Sequence, residues 1–218
     1  MRSNSKISEQ DFTEQGRQSF IEAARRAQII ECAIDAIAEL GFAQASLAQI
    51  AKRAGVSTGV ISYYFAGKDD LIGEVAAHVY EVGRIFIEPR VQQQLDARTA
   101  LHAFIEAGVD FIAAKPRYPM AIMNISRAGG EGPRFDRSVE EPRRAGFTRI
   151  LGWGQEAGLF RSFDIPIMAA TIIEALDYVP QRLVAEPDLD LGAYARELVT
   201  LFDLATRHPH PSLSGDPS

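Results

Sequence analysis

The sequence predicts an all-α protein: an N-terminal three-helix domain containing a helix-turn-helix, followed by a larger helical body. Three observations predict it. Apolar residues recur every three or four positions along most of the chain, the spacing of one helix face. Glycines, prolines and small polar caps punctuate those runs at helix-length intervals. Segments alternating in β-branched residues between turn signals are absent, so no sheet is expected.

Residues 1–20 are polar apart from Ile7, Phe12 and Phe20, and a flexible arm is expected there. From Phe20 to Leu40 the residues Ile30, Ala33, Ile34, Ile37 and Ala38 keep a helical period, which Gly41 ends. Ser46 and Gln49 form an N-terminal capping pair, in which the hydroxyl accepts the Gln49 amide and the Gln49 side chain reaches back. Leu47, Ile50, Ala51 and Ala54 then face inward, leaving Ala48, Gln49, Lys52 and Arg53 outside. Gly55 suits the left-handed end of that helix. Ser57 or Thr58 can cap the next helix, which buries Ile61 and Phe65 and exposes Thr58, Gly59, Ser62 and Tyr63. Two short helices joined by a glycine-containing turn make a helix-turn-helix, whose second helix enters the DNA major groove. The three-helix domain is expected over 21–66.

Asp69 and Asp70 open the next helix, where the macrodipole favours carboxylates. It is expected to run through Leu71, Val75, Val79, Val82 and Phe86 to about residue 88, stopping at Pro89, and to link the head to the body. The body, 67–207, adds helices at about 96–114, 117–127, 135–157, 165–184 and 190–206, with a tail expected to be disordered at 208–218.

The charge balance limits the partners. Net charge is -6 over 218 residues, so bulk positive charge cannot attract nucleic acid. Between Ser46 and Lys68, however, stand Lys52, Arg53 and Lys68 and no acid; Glu22, Glu31, Asp35, Glu39, Asp69 and Asp70 flank that segment. DNA must therefore meet a small patch, presented twice by a dimer. With no apolar core beside a basic flank and no apolar run of membrane-spanning length, no signal peptide and a soluble, cytoplasmic protein are expected.

Catalytic or metal chemistry is not predicted. The single cysteine, Cys32, excludes an intrachain disulfide and reads as a small buried hydrophobe. His78, His102, His208 and His210 lack metal-ligand spacing, so no metal or other cofactor is expected. The Gly129–Gly132 loop follows a helix rather than a strand and reads as a connector. No nucleophile elbow, Cys–His pair or paired carboxylates stand out, and Glu140, Glu141, Arg143 and Arg144 read as a solvated helix face.

The run IAKRAGVSTGVISYYFAGKDDL resembles the DNA-binding domain of the tetracycline-repressor (TetR) family of bacterial one-component regulators. Ile50 and Ala51, Ala54 to Ser57, Gly59, Tyr63 to Phe65, Lys68 and Leu71 carry the resemblance. Ser57 to Phe65 most resembles the choline-responsive betaine-pathway repressors within that family. Most members have Tyr where this chain has Ser62, which shortens that side chain and shifts readout toward Tyr63 and Thr58. The resemblance implies a homodimeric regulator, a repressor, that leaves a palindromic double-stranded operator when a small molecule enters its body. Thr58, Gly59 and Tyr63 are expected nearest the bases, with Ala48 and Gln49 beside the same groove. Ser46, Lys52, Ser57, Ser62, Tyr64 and Lys68 are expected to serve the phosphates.

The last two helices resemble the family's dimerisation pair, with Ala175, Val179, Leu183, Leu198, Leu201 and Phe202 as candidate contacts. A methionine-rich helix beside aromatics is adaptable. A small, mainly apolar inducer is therefore expected among Phe104, Phe111, Met120, Met123, Phe147, Trp153 and Ile173, oriented by Arg127, Asn124, Asp177 or Tyr178. A constitutive dimeric DNA-binding protein without an inducer is the alternative.

Overall fold

A computed structural model of the chain describes residues 9–128 and 140–208, which form ten α-helices and, among those residues, no strand. The helices are α1 (Glu9–Leu40), α2 (Leu47–Ala54), α3 (Thr58–Tyr64), α4 (Lys68–Gln92), α5 (Ala97–Ala114), α6 (Arg117–Arg127), α7 (Glu141–Glu156), α8 (Ile165–Asp177), α9 (Val179–Ala185) and α10 (Leu191–Thr206). The 129–132 loop, the start of the helix expected at 135 and the tail from 209 lie outside the described residues.

Two apolar cores divide the molecule. The first joins Ile34 and Ile37 of α1, Ile50 of α2, Ile61 of α3, Leu71, Val75 and Val79 of α4, and Tyr118, Ala121 and Ile125 of α6. The second joins Leu101 and Ile105 of α5, Phe147 and Leu151 of α7, Ile172 of α8, and Leu198 and Phe202 of α10. The three-helix head therefore does not close at Phe65. Its core continues into α4 and takes in α6, because α1 is apolar on more than one face and needs a second cover.

Three helix bounds differ from expectation, each for a backbone reason. Helix α1 begins at Glu9, so residues 9–20 are helical rather than a loose arm. Once Ile29 to Ile37 anchor that helix, each added residue gains a hydrogen bond without a new nucleation penalty. Helix α4 runs past Pro89 to Gln92; the proline deletes one bond, and it does so on an exposed last turn. The helix expected over 165–184 breaks at Tyr178 into α8 and α9. Pro180 cannot donate to Leu176, and its ring crowds that carbonyl, so a new helix starts there.

Aspartates cap three body helices in the same way: Asp96 accepts from Thr99 N, Asp164 from Ile167 N and Asp190 from Ala193 N, each at 2.9 Å. The chain leaves α7 through Gly158, at φ 69°, and both Leu159 N and Phe160 N donate to Gly154 O at 2.9 Å. That turn lays the Phe160 ring over Gly154, where an added Cβ would lie 2.0 Å from the ring.

Candidate nucleic-acid interface

The local chemistry of α2 and α3 presents one exposed face. Ser46 Oγ accepts from Gln49 N at 3.3 Å, and Gly55 adopts the left-handed conformation at φ 66°. The reciprocal arm of the capping pair is not made, since Ser46 N donates to Gln44 O at 2.8 Å. Ser57, rather than Thr58, caps α3 by accepting from Val60 N at 3.4 Å. With Ile61 and Phe65 buried, Thr58, Gly59, Ser62 and Tyr63 point outward, and Ala48, Gln49 and Lys52 are exposed on α2. Tyr63 is 72% exposed. Its ring stands edge-on to Tyr64 at 5.0 Å, and Tyr64 leans on Phe65, so an exposed side chain is braced from behind.

Two expected phosphate ligands are otherwise engaged. Lys68 Nζ donates to Phe42 O at 2.8 Å and sits 4.1 Å from the Phe42 ring centroid. Burial lowers its pKa, partly offset by Asp69. Lys68 is thus a strut between the start of α4 and the turn after α1, a role its motif spacing does not reveal. Ser62 Oγ donates to Thr58 O at 3.2 Å, so its hydroxyl hydrogen serves its own helix. Arg53 is also occupied: it forks onto Glu39, which raises the Arg53 pKa and lowers that of Glu39.

The residues expected to surround a ligand are not gathered into one cluster. Phe111 lies in the first core beside Phe86 and Tyr118, at 5.7 and 6.2 Å between ring centroids. Phe104 and Phe147 stack at 4.0 Å in the second core, where Ile173 also packs. Met120 and Met123 are half-buried on α6, the helix packed on α1. Arg127 is exposed, and Trp153 is 39% exposed. Asn124 donates to the Ile37 and Ala38 carbonyls at 2.9 and 3.4 Å, closing the end of α1 instead of facing a ligand.

Asp177 is not buried alone; Arg143 donates to it at 2.6 Å. Tyr80 OH donates to Glu140 at 3.3 Å, so Arg143 and Glu140 belong to a polar joint between α4, α7 and α8 rather than a solvated face. Burial opposes the Arg143 charge, but Asp177, Tyr80 and Glu140 outweigh it and raise its pKa. Burial, joined by the Glu140 charge, pushes the Tyr80 phenol up. Cys32 is half-buried, with its thiol pushed up by burial, and stays protonated.

On α8 and α10, Ile167, Leu201 and Leu204 are exposed, and an apolar groove of about 470 Å³ is lined by Ile167, Met168, Thr171, Ala175 and Leu201. Of the expected dimer contacts, Val179, Leu198 and Phe202 are buried within the chain, while Leu201 faces out. No helix among the described residues is long and apolar enough to cross a membrane, and no group of three metal-ligating side chains occurs among them.

Comparison with known proteins places this geometry. Residues 29–75 match the model of bacterial regulatory proteins, tetR family. The HTH-type transcriptional regulator BetI 1 of Chromohalobacter salexigens is 38% identical over 87 residues, 39% of this chain and 43% of that protein. The chain thus spans less than half the length of the curated relatives it matches. The fatty acid degradation regulator FadR from Bacillus halodurans shares the fold at a TM-score of 0.73 and 23% identity, over 81% of this chain and 97% of that one. FadR from Bacillus subtilis, solved in complex with stearoyl-CoA, shares it at 0.73 and 22% identity, over 80% and 96%. A helix-turn-helix with an outward recognition face and a family model that matches it over residues 29–75 lead to one conclusion: the chain carries the DNA-binding domain of the TetR family at its N-terminal end.

Proposed function

We propose that the protein is a dimeric, cytoplasmic transcriptional regulator, a repressor, that grips a palindromic operator and releases it when a small molecule binds the body. The observation that carries this reading is the outward face of α3, Thr58, Gly59 and Tyr63, held by a buried back of Ile61 and Phe65. Gly59 permits close backbone approach, while the Tyr63 ring and the Thr58 methyl suit thymine methyl groups. Ala48 and Gln49 border the groove. Ser46, Lys52, Ser57 and Tyr64 serve phosphates, and Ser62 and Lys68 are struts first. Two copies join through the apolar outer side of α8 and α10, which sets the two heads for related half-sites.

The ligand is a small, mainly apolar molecule or one with an apolar chain; the stearoyl-CoA held by the Bacillus subtilis FadR makes acyl thioesters the first class to test. Because Phe104 and Phe147 stack closely, entry between α5 and α7 requires those rings to part. Such a ligand acts only through its preference for one arrangement of the heads.

The test is selection of duplexes from a randomised pool by the full-length protein, followed by titration. Tyr63→Ala should weaken the selected duplex by about tenfold or more. Lys52→Ala should weaken all duplexes alike and reduce the salt slope by about 0.9. If Tyr63→Ala retained both affinity and sequence choice, the recognition face would be misassigned. Acyl thioesters and apolar metabolites are then added to the complex; binding that leaves DNA affinity unchanged would make the protein a constitutive binder.

A further inference from the structure

Glu31, Asp35 and Glu39 stand four residues apart along α1, a spacing at which like charges share a face and repel. Cations from two different parts of the molecule answer them. From α6, Arg117 donates to Glu31 at 2.9 Å and to Asp35. From α2, Arg53 forks onto Glu39, and its charge is also stabilised by Asp35. Asp35 thus pairs with Arg117 of α6 and stands one helical turn before Glu39, the partner of Arg53 of α2. Cys32, on the same part of α1, feels both cations. Glu31 is further held by His78 of α4 at 2.9 Å and by Tyr118 OH of α6 at 2.9 Å.

The α6 end of this stripe is held in register. Arg117 and Tyr118 meet α1 at Glu31 and Asp35, and Asn124 meets it at Ile37 and Ala38. The two helices therefore run in the same direction, clamped at points roughly 10 Å apart. Along the same stretch of α6, Tyr118, Ala121 and Ile125 are buried in the first core. A shift of α6 must then move Arg117 along the stripe.

We propose that Arg53 and Arg117 are alternative partners of Asp35, so that the stripe passes the position of α6 to α2 and Asp35 is a positioning residue for the DNA-binding head. The inference rests on the DNA-binding reading above, and its first arm is independent of DNA. Withdrawal of Arg117 leaves Asp35 unpaired; Arg53 then turns from Glu39 toward it, which draws on the last turn of α2, next to the Gly55 turn that sets α3.

The experiment is a double-mutant cycle on the full-length protein by urea unfolding at low salt. Arg53→Met and Arg117→Met should each lower the folding constant by about twofold to threefold, as expected of half-exposed pairs. The double variant should exceed the product of the two by about threefold, since neither cation remains to answer Asp35. In an Asp35→Asn background that excess should vanish. A simple product with Asp35 present, or an excess that survives Asp35→Asn, overturns the sharing of Asp35. In the second arm, Arg117→Met should change affinity for the selected duplex about threefold with Asp35 present and not in Asp35→Asn. Unchanged affinity in both backgrounds overturns transmission to the head. A wild-type protein that bound no duplex would overturn the DNA-binding reading, while the unfolding cycle would still decide whether Asp35 is shared.

Discussion

Lys68 makes a contact inside the head that its motif does not reveal. The family pattern puts a lysine after the aromatic triplet, and an exposed lysine beside DNA suggests a phosphate contact. Here the ammonium donates to Phe42 O and rests on the Phe42 ring, and burial lowers its pKa. Lys68→Met should therefore lower unfolding free energy by about 1–2 kcal/mol, the value of a charged hydrogen bond less its exposure. The slope of DNA affinity against salt should stay as in the wild type; a slope reduced by one charge would return Lys68 to the phosphates. Gly154 owes its place to packing. Its missing Cβ leaves room for the Phe160 ring, which would otherwise approach to 2.0 Å. Gly154→Ala should cost about 1–3 kcal/mol in thermal or urea unfolding. Gly158→Ala, strained at φ 69° but facing open space, should cost about 1–2 kcal/mol. A neutral Gly154→Ala would mean that Phe160 packs elsewhere.

At the scale of elements, helices are joined by ion pairs that titrate. Asp203 of α10 accepts from Arg98 at 2.6 Å and pairs with His102 at 3.0 Å, both on α5. The Arg98 hydrogen bond, seconded by His102, holds the Asp203 pKa below its ordinary value. The sign follows: a carboxylate depressed on folding stabilises the native state above its unfolded pKa, near about 4, and that stability is lost as pH falls through the folded value. Wild-type stability should fall more steeply than that of Asp203→Asn between about pH 5 and 3. Parallel curves in urea unfolding would show that the α5–α10 joint does not depend on this charge. The break between α8 and α9 is of a different kind, set by the missing N–H of Pro180 rather than by any contact.

At the scale of the whole molecule, the outer side of α8 and α10 exposes Ile167 at 67% and Leu201 at 56% beside an apolar groove. A contiguous apolar face of this kind is a common mark of an interface. Ile167→Glu combined with Leu201→Glu should turn a dimer into a monomer at micromolar concentration by light scattering, and operator binding should weaken with it. A wild-type monomer, or a dimer that survives both charges, would move the interface elsewhere.

Much of this was legible from residue order. The helical period, the Ser46 and Ser57 caps, Gly41 and Gly55 placed most helices and the outward face of α3, because these are local effects acting within four or five residues. The proline breaks at Pro89 and Pro180 were weighed less well, since the outcome depends on whether neighbouring packing outlasts one lost bond. Three matters only the tertiary structure decided. Helix α6 joins the core of the head through Tyr118, Ala121 and Ile125; Phe111 parts from Phe104 and Phe147; and Lys68, Asn124 and Arg143 find partners far away in sequence. Spacing along a helix says which residues share a face, but not which of two apolar neighbours that face will meet. Nor does it say which distant carbonyl or carboxylate a cation will reach. Those pairings follow from the crossing of helices far apart in sequence, so the chain determined its elements locally and its joints only once folded.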